Sequence, residues 1–289
     1  MGKESLPCFS TICQAAQTEL DSMLKKSDIP ESEFQAFFEL HPYLLSHLCS
    51  GIGGGGTLYN CLISQPKLDD TYPRIPDYVW LTIDSKYFRP IFIEIEKPSK
   101  RYFKENGEFT ADFLQAFGQL CCWKSMLMDF LTEQSFLKRF NLLDKVTTKT
   151  FKPEYALLFG RRNEYQHSQA KCRMIASLEN ALSFSIRPYD DLLDKKPCEL
   201  DHGAHLVTCK QKKDRLAVIA VPDSFGLNKR NAADYRAWTG FNEALDKNSH
   251  IDSERKDYLK RMIGEIKAVN NNCDDGTIDL EHIQPNAWL

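Results

Sequence analysis

The chain lacks an uninterrupted apolar run approaching the roughly 18–20 residues that a bilayer span needs, and its opening, MGKESLPCFS, lacks the apolar core of a secretory signal. No membrane partner is expected, and the cytoplasm is the expected compartment. A large charge of one sign is also lacking. With a formal net charge of -3, any basic groove for nucleic acid has to be local. The ten cysteines, scattered from Cys8 to Cys273, read as reduced thiols rather than a disulfide framework. Cys121 and Cys122 are adjacent rather than CxxC and fall in a helical apolar pattern, so they read as core packing and no zinc site is expected. GIGGGG, from Gly51 to Gly56, lacks the Lys-Ser/Thr ending of a phosphate loop and reads as a flexible connection. No Ser or Cys sits in a nucleophile elbow. His202 and His205 form an HxxH without further ligands and read as surface residues. Neither an internal repeat nor a low-complexity tail is found.

What is there describes a folded α/β protein. An apolar fraction of 42% against 27% charged excludes a disordered or fibrous chain. A length of 289 residues allows one large domain, or a smaller one with an added lobe. The division expected is an N-terminal segment over 1–27, a main domain over 28–195, and a C-terminal extension of a strand and a helix over 196–289, available for subunit contacts.

The first strong helix signal is SDIPESEFQAFFELHPYLL, with Ser27 or Asp28 as cap, Pro30 early, Glu31 and Glu33 in the first turn, and a stripe of Phe34, Phe37 and Phe38. His41-Pro42 should end it. TLYNCLIS, DYVWLTID and PIFIEIE follow as strands, the last two joined by DSKYFR as an antiparallel hairpin. A long helix is expected from Phe109 to Leu131, then a strand YALLFGRR ending at Gly160, a helix over Ala170–Leu182 and a strand over Ser183–Arg187. Beyond Lys196, DRLAVIAVPD reads as a strand. DSERKDYLKRMIGEIKAV reads as a helix with Tyr258, Leu259, Met262, Ile263 and Ile266 near one face. The fold class is therefore α/β: a mixed central sheet flanked by helices.

Side chains alternate across a strand, so Glu94 and Glu96 share a face with Phe92, while Ile91, Ile93 and Ile95 take the other. A hairpin turning near Lys86 and Tyr87 sets Asp77 opposite residue 95 or 96. Three acids then converge. Burying like charges together costs several kcal/mol unless a cation neutralises them, and oxygen ligands suit Mg²⁺ or Mn²⁺, the ions of phosphodiester hydrolysis. The alternative is that Glu94 and Glu96 line the solvent face of an edge strand, balanced by Lys97, Lys100 and Arg101. Lys100, Arg101 and Lys104 can also hold a phosphate backbone, with Tyr102 and Phe103 to stack on a base. Arg161 and Arg162 are similar candidates.

IPDYVWLTIDSKYFRPIFIEIEKPSKRYF, with Pro-Asp before one strand and Glu-x-Glu on the next, resembles the PD-(D/E)xK nuclease signature. Together with ESEFQAFFELHPYLL, DFLQAFGQLCCW, YALLFGRR and IRPYDDLL, in that order over residues 28 to 195, it resembles the Shedu family of phage-defence nucleases. The resemblance implies an αβββαβ core, Asp77 and Glu94 as metal ligands, and an acid from the first helix at Glu31 or, as second choice, Glu33. It also implies a glutamine at Gln119, or Gln115 one turn before it. DNA is the implied substrate, with RNA open, and a homo-oligomer the implied assembly. One departure stands out: Glu96 occupies the place of the usual lysine, and Lys97 is out of phase. Glu96 then completes the metal site or takes a proton, with Lys97 available to phosphate. A second reading keeps the fold without catalysis, as a nucleic-acid-binding or sensing module, and a third is a structural assembly protein.

Overall fold

The computed structural model describes residues 8–26, 28–48, 57–68, 75–196, 205–212, 215–227 and 232–268. Helix α1 (Phe9–Leu24) was not expected from the sequence; its inward stripe, Cys13, Ala16, Leu20 and Met23, is built partly of small residues. In α2 (Glu31–Leu40), Pro30 takes the N-cap, Glu31 and Glu33 lie in the first turn, and Phe34, Phe37 and Phe38 are buried. The helix stops before His41, and Pro42–His47 form a 3-10 turn.

β1 (Thr57–Ser64), β2 (Tyr78–Ile83) and β3 (Tyr87–Ile95) follow. The expected helix over 109–131 is two helices, α3 (Ala111–Leu127) and α4 (Phe130–Arg139). They divide because the Asp129 carboxylate accepts from Thr132 N at 2.9 Å and caps a new helix start. Leu131 is therefore exposed rather than part of the stripe. Then come β4 (Thr150–Phe151), β5 (Glu154–Leu158), α5 (Gln169–Leu182), β6 (Phe184–Arg187) and the short α6 (Asp190–Leu193). β5 ends two residues before Gly160, whose φ of +55° turns the chain out of the sheet.

The last part contributes β7 (Val207–Lys212), β8 (Arg215–Ala220), α7 (Ala232–Ala237), β9 (Trp238–Thr239), α8 (Phe241–Lys247) and α9 (Ser253–Ala268). β7 was not expected. It pairs in parallel with β1, so the strands after residue 196 continue the same sheet, in the order β6-β5-β3-β2-β1-β7-β8-β9 with β4 beside β3. The fold is thus mixed α/β, a nine-stranded mixed sheet flanked by helices. In α9 the face of Leu259, Met262, Ile263 and Ile266 is buried within the chain itself.

Strand alternation sends the two sides of the sheet into two apolar clusters. Val79, Leu81, Phe88 and Phe92 pack with α3 and α4, and Trp80, Ile91, Ile93 and Ile95 pack with α1 and α2. Trp80, Trp123 and Phe92 are fully enclosed; burying each such side chain stabilises by roughly 1.5–3 kcal/mol. α2 is further tied to the sheet. Tyr78 Oη donates to Gln35 O at 2.9 Å, Ser64 Oγ to Glu39 Oε1 at 2.8 Å, and Thr208 Oγ1 to Glu39 O at 2.7 Å.

GIGGGG and His202 lie outside the described residues. His205 is placed, with Nδ1 2.7 Å from Gly226 O. Among the described residues the cysteines are free thiols, and no helix is long and apolar enough to cross a membrane.

Candidate active site

The β2–β3 hairpin pairs Tyr78 with Ile93 and Val79 with Phe92. Extending that register by one residue sets Asp77 opposite Glu94, not opposite residue 95 or 96. The difference comes from the turn. Asp84 Oδ1 accepts from Lys86 N and Tyr87 N, both at 2.7 Å, so the chain reverses around Ser85 and Lys86 and β3 already starts at Tyr87. Asp77 precedes β2 and Glu94 is the penultimate residue of β3, so the acids gather at the C-terminal edge of the parallel strands β3 and β5, where open α/β sheets hold their ligands.

β3 lies between β2 and β5, and Glu94 and Glu96 are 7% and 8% exposed, which excludes the solvent-face alternative. Each acid is held by named partners. Asp77 Oδ1 accepts from Gln35 Nε2 at 2.7 Å and Oδ2 from Ile95 N at 2.9 Å. The Glu96 backbone is fixed on both sides: its N–H donates to Leu158 O at 2.9 Å and its carbonyl accepts from Tyr189 Oη at 2.7 Å. Its carboxylate meets the Lys100 ammonium. Glu94 Oε2 is buried without a hydrogen-bond partner.

The electrostatics bind these acids into one group. Burial holds the Glu94 carboxyl far above the usual carboxylate range, reinforced by Asp77, Glu96 and Glu31. Burial likewise raises Asp77, opposed by the Ile95 and Gln35 hydrogen bonds and reinforced by Glu31 and Glu96. Glu31 is raised by burial and by Glu96, against Lys100 and Lys97. Glu31 therefore joins the cluster from the first turn of α2, whereas Glu33 points to solvent. Among the described residues no group of three or more His, Cys, Asp or Glu side chains is spaced to hold a metal ion. The orphaned Glu94 oxygen and an all-oxygen donor set nonetheless suit a hard divalent cation.

The other expected residues are distributed unevenly. Lys97 is half-buried directly after Glu96, and Lys100 N donates to its carbonyl at 3.1 Å. Gln119 is half-buried on α3 and Gln115 exposed; the glutamine that hydrogen-bonds Asp77 is Gln35. Arg101 is exposed, with Nε 3.5 Å from Glu164 Oε1. Arg161 is engaged bidentately by Asp190, at 3.1 and 2.9 Å, and reaches Leu24 O at 3.3 Å, so it clamps α1 to the sheet. Arg162 pairs with Asp191 and Asp194. Tyr102 and Phe103 are buried in the core and present no open face for a base. Sequence reading missed Gln35 and Tyr189. Gln35 carried a signal, since it lies four residues, one helical turn, after Glu31; Tyr189 carried none, because its partner is distant in the chain.

The fold and site together define an α/β protein with a buried carboxylate cluster at the C-terminal edge of a mixed sheet. Residues 28–193 match the family model described as Shedu protein SduA, C-terminal, and the chain belongs to the Shedu family, which suggests a phage-defence protein. No curated protein matches the chain.

Proposed function

We propose that the chain is a metal-dependent endonuclease of the PD-(D/E)xK type, hydrolysing DNA phosphodiester bonds in phage defence. The observation that carries this reading is the Glu94 carboxylate, buried at the end of a central strand with one oxygen unpartnered and other acids around it. A buried carboxylate without a partner is costly unless a cation or a proton satisfies it. Asp77, Glu94 and Glu96 would hold Mg²⁺ or Mn²⁺, drawing together from the spacing seen here, with Glu31 beside them.

A divalent ion so held supplies charge neutralisation at the phosphate and a more acidic water. The chain's own groups do the rest. Gln35 and Ile95 N–H hold both Asp77 oxygens and so fix the direction of that carboxylate. Glu96 would complete the metal site or take the proton of the attacking water as that water's oxygen bonds to phosphorus. The bond from phosphorus to the leaving sugar oxygen breaks, and that oxygen takes up a proton. RNA is open to the same chemistry, and a homo-oligomer is the assembly that the family resemblance implies.

Glu96, standing where the usual pattern has lysine, favours one other reading: a nuclease fold without catalysis that binds or senses nucleic acid. Incubating supercoiled plasmid with the protein and Mg²⁺ separates the two. The nuclease reading expects cleavage by wild type that EDTA and Glu94→Ala abolish; no cleavage of any DNA or RNA sinks it.

A further inference from the structure

We infer that Lys100 supplies the active-site cation that the Glu-x-Glu sequence lacks at its third position. This inference rests on the nuclease reading and deepens it. Four acids converge at the end of β3, and among the described residues the cation in direct contact with them is Lys100, whose ammonium meets Glu96 Oε2. Lys97, the nearer lysine in sequence, acts on Glu31 through space, and no ion pair links it to an acid among the described residues. The side chain of Lys100 is 29% exposed and that of Glu96 11%, so the pair sits at the mouth of the cluster, between the buried acids and solvent.

The backbone delivers Lys100 to this point by a route that the linear motif does not show. Residues 97–100 form a turn closed by Lys100 N on Lys97 O, which folds the chain back over Glu96. The loop is then pinned on its far side. Tyr102 is buried, its N–H donates to Glu164 Oε2 at 2.7 Å and its hydroxyl to Phe159 O. Gly160 permits the approach: a Cβ there would lie 2.8 Å from Lys100 O and 2.8 Å from Tyr102 Cε2. Lys100 is therefore carried on a fixed loop rather than a free arm. An ammonium in this place can orient the attacking water or hold charge on the scissile phosphate, the work that a lysine two residues after Glu94 would otherwise do.

The test uses the full chain, with Mn²⁺ as the calorimetric probe and single-turnover cleavage of supercoiled plasmid as the second readout. Wild type is compared with Lys100→Met, Lys100→Arg and Lys97→Met. Lys100→Met is expected to lower cleavage by about 100-fold or more while Mn²⁺ affinity is kept or increased, because a competing cation has been removed from Glu96. Lys100→Arg recovers part of the rate, and Lys97→Met, at a residue that can reach phosphate, loses clearly less than Lys100→Met. Wild-type cleavage by Lys100→Met overturns the inference and leaves the nuclease reading intact. So does a Lys97→Met loss as large as that of Lys100→Met. Loss of Mn²⁺ binding together with cleavage in Lys100→Met shows a structural role and also overturns it. A wild type that cleaves no nucleic acid sinks the nuclease reading, and this inference falls with it.

Discussion

Gln35 Nε2 lies 2.7 Å from Asp77 Oδ1, so a residue of α2 determines which way the first acid of the site points. Gln35 is itself held, because its carbonyl accepts from Tyr78 Oη, on the residue next to Asp77. Helix and strand thus lock each other at the site. Gln35→Ala removes the donor and leaves the fold's apolar contacts in place. Such a supporting hydrogen bond is worth about 10–100-fold in metal affinity or activity, and Mn²⁺ calorimetry with plasmid cleavage should show a loss in that range. Unchanged affinity and rate would mean that Asp77 needs no orienting partner.

Tyr189→Phe deletes the hydrogen bond to the Glu96 carbonyl, buried on both sides. The expected cost is about 1 kcal/mol or somewhat more, since a buried acceptor is left unpaired, measured as a shift in the urea midpoint. Cleavage should fall further than this modest destabilisation explains, because the end of β3 loses its anchor beside the acids.

Gly160→Ala tests the loop that carries Lys100. A methyl group meets both the Lys100 carbonyl and the Tyr102 ring at 2.8 Å, and φ is +55°. Backbone strain of this kind costs about 1–3 kcal/mol, so urea unfolding should report that loss, and cleavage should fall with it. A wild-type midpoint and rate would show that the 100–102 backbone can move away freely.

His41 gives the protein a pH dependence remote from the acids. Burial lowers its pKa from 6.5 to about 4, and its Nδ1 lies 2.8 Å from Tyr43 Oη. Between those values the unfolded chain binds the proton and the folded chain does not, so the contribution of His41 to stability is complete above about 6.5 and is lost as pH drops toward 4. The slope from one such group is at most about 1.4 kcal/mol per pH unit. Urea titrations of wild type and of His41→Gln, which retains a hydrogen-bonding side chain without titrating, should diverge across this window, and the difference isolates His41 from the raised Asp77, Glu94 and Asp234 carboxyls, whose slope has the opposite sign.

Much of this site was legible because its signals are local. Pro-Asp before one strand and Glu-x-Glu at the end of the next marked Asp77, Glu94 and Glu96 as acids that could meet, and the family resemblance pointed to Glu31 or Glu33 in the first turn of α2. The register slipped because the Asp84 side chain closes a tighter turn than DSKYFR suggested, through bonds that composition does not reveal. Gln35 was missed although helical spacing from Glu31 pointed to it. β7 was missed because its stabilising partner, β1, lies about 140 residues earlier, and its own pattern, VTCKQK, is short and half polar. α1 was missed because a stripe with Cys13 and Ala16 gives little hydrophobic contrast. Burial of Tyr102 and Phe103, and the pairing of Arg161 with Asp190, likewise depend on distant contacts, so residues that looked available for nucleic acid are engaged within the fold.

One variant, read two ways, decides whether the buried Glu94 carboxylate is kept for a metal ion and not for stability. Glu94→Gln preserves shape and removes the ionisable carboxyl. With EDTA present, its melting temperature should equal or exceed that of wild type, because the wild-type oxygen is buried without a partner. With Mg²⁺ present, plasmid cleavage by wild type should be abolished in the variant. A variant that melts well below wild type in EDTA, or that cleaves plasmid as wild type does, would contradict the account.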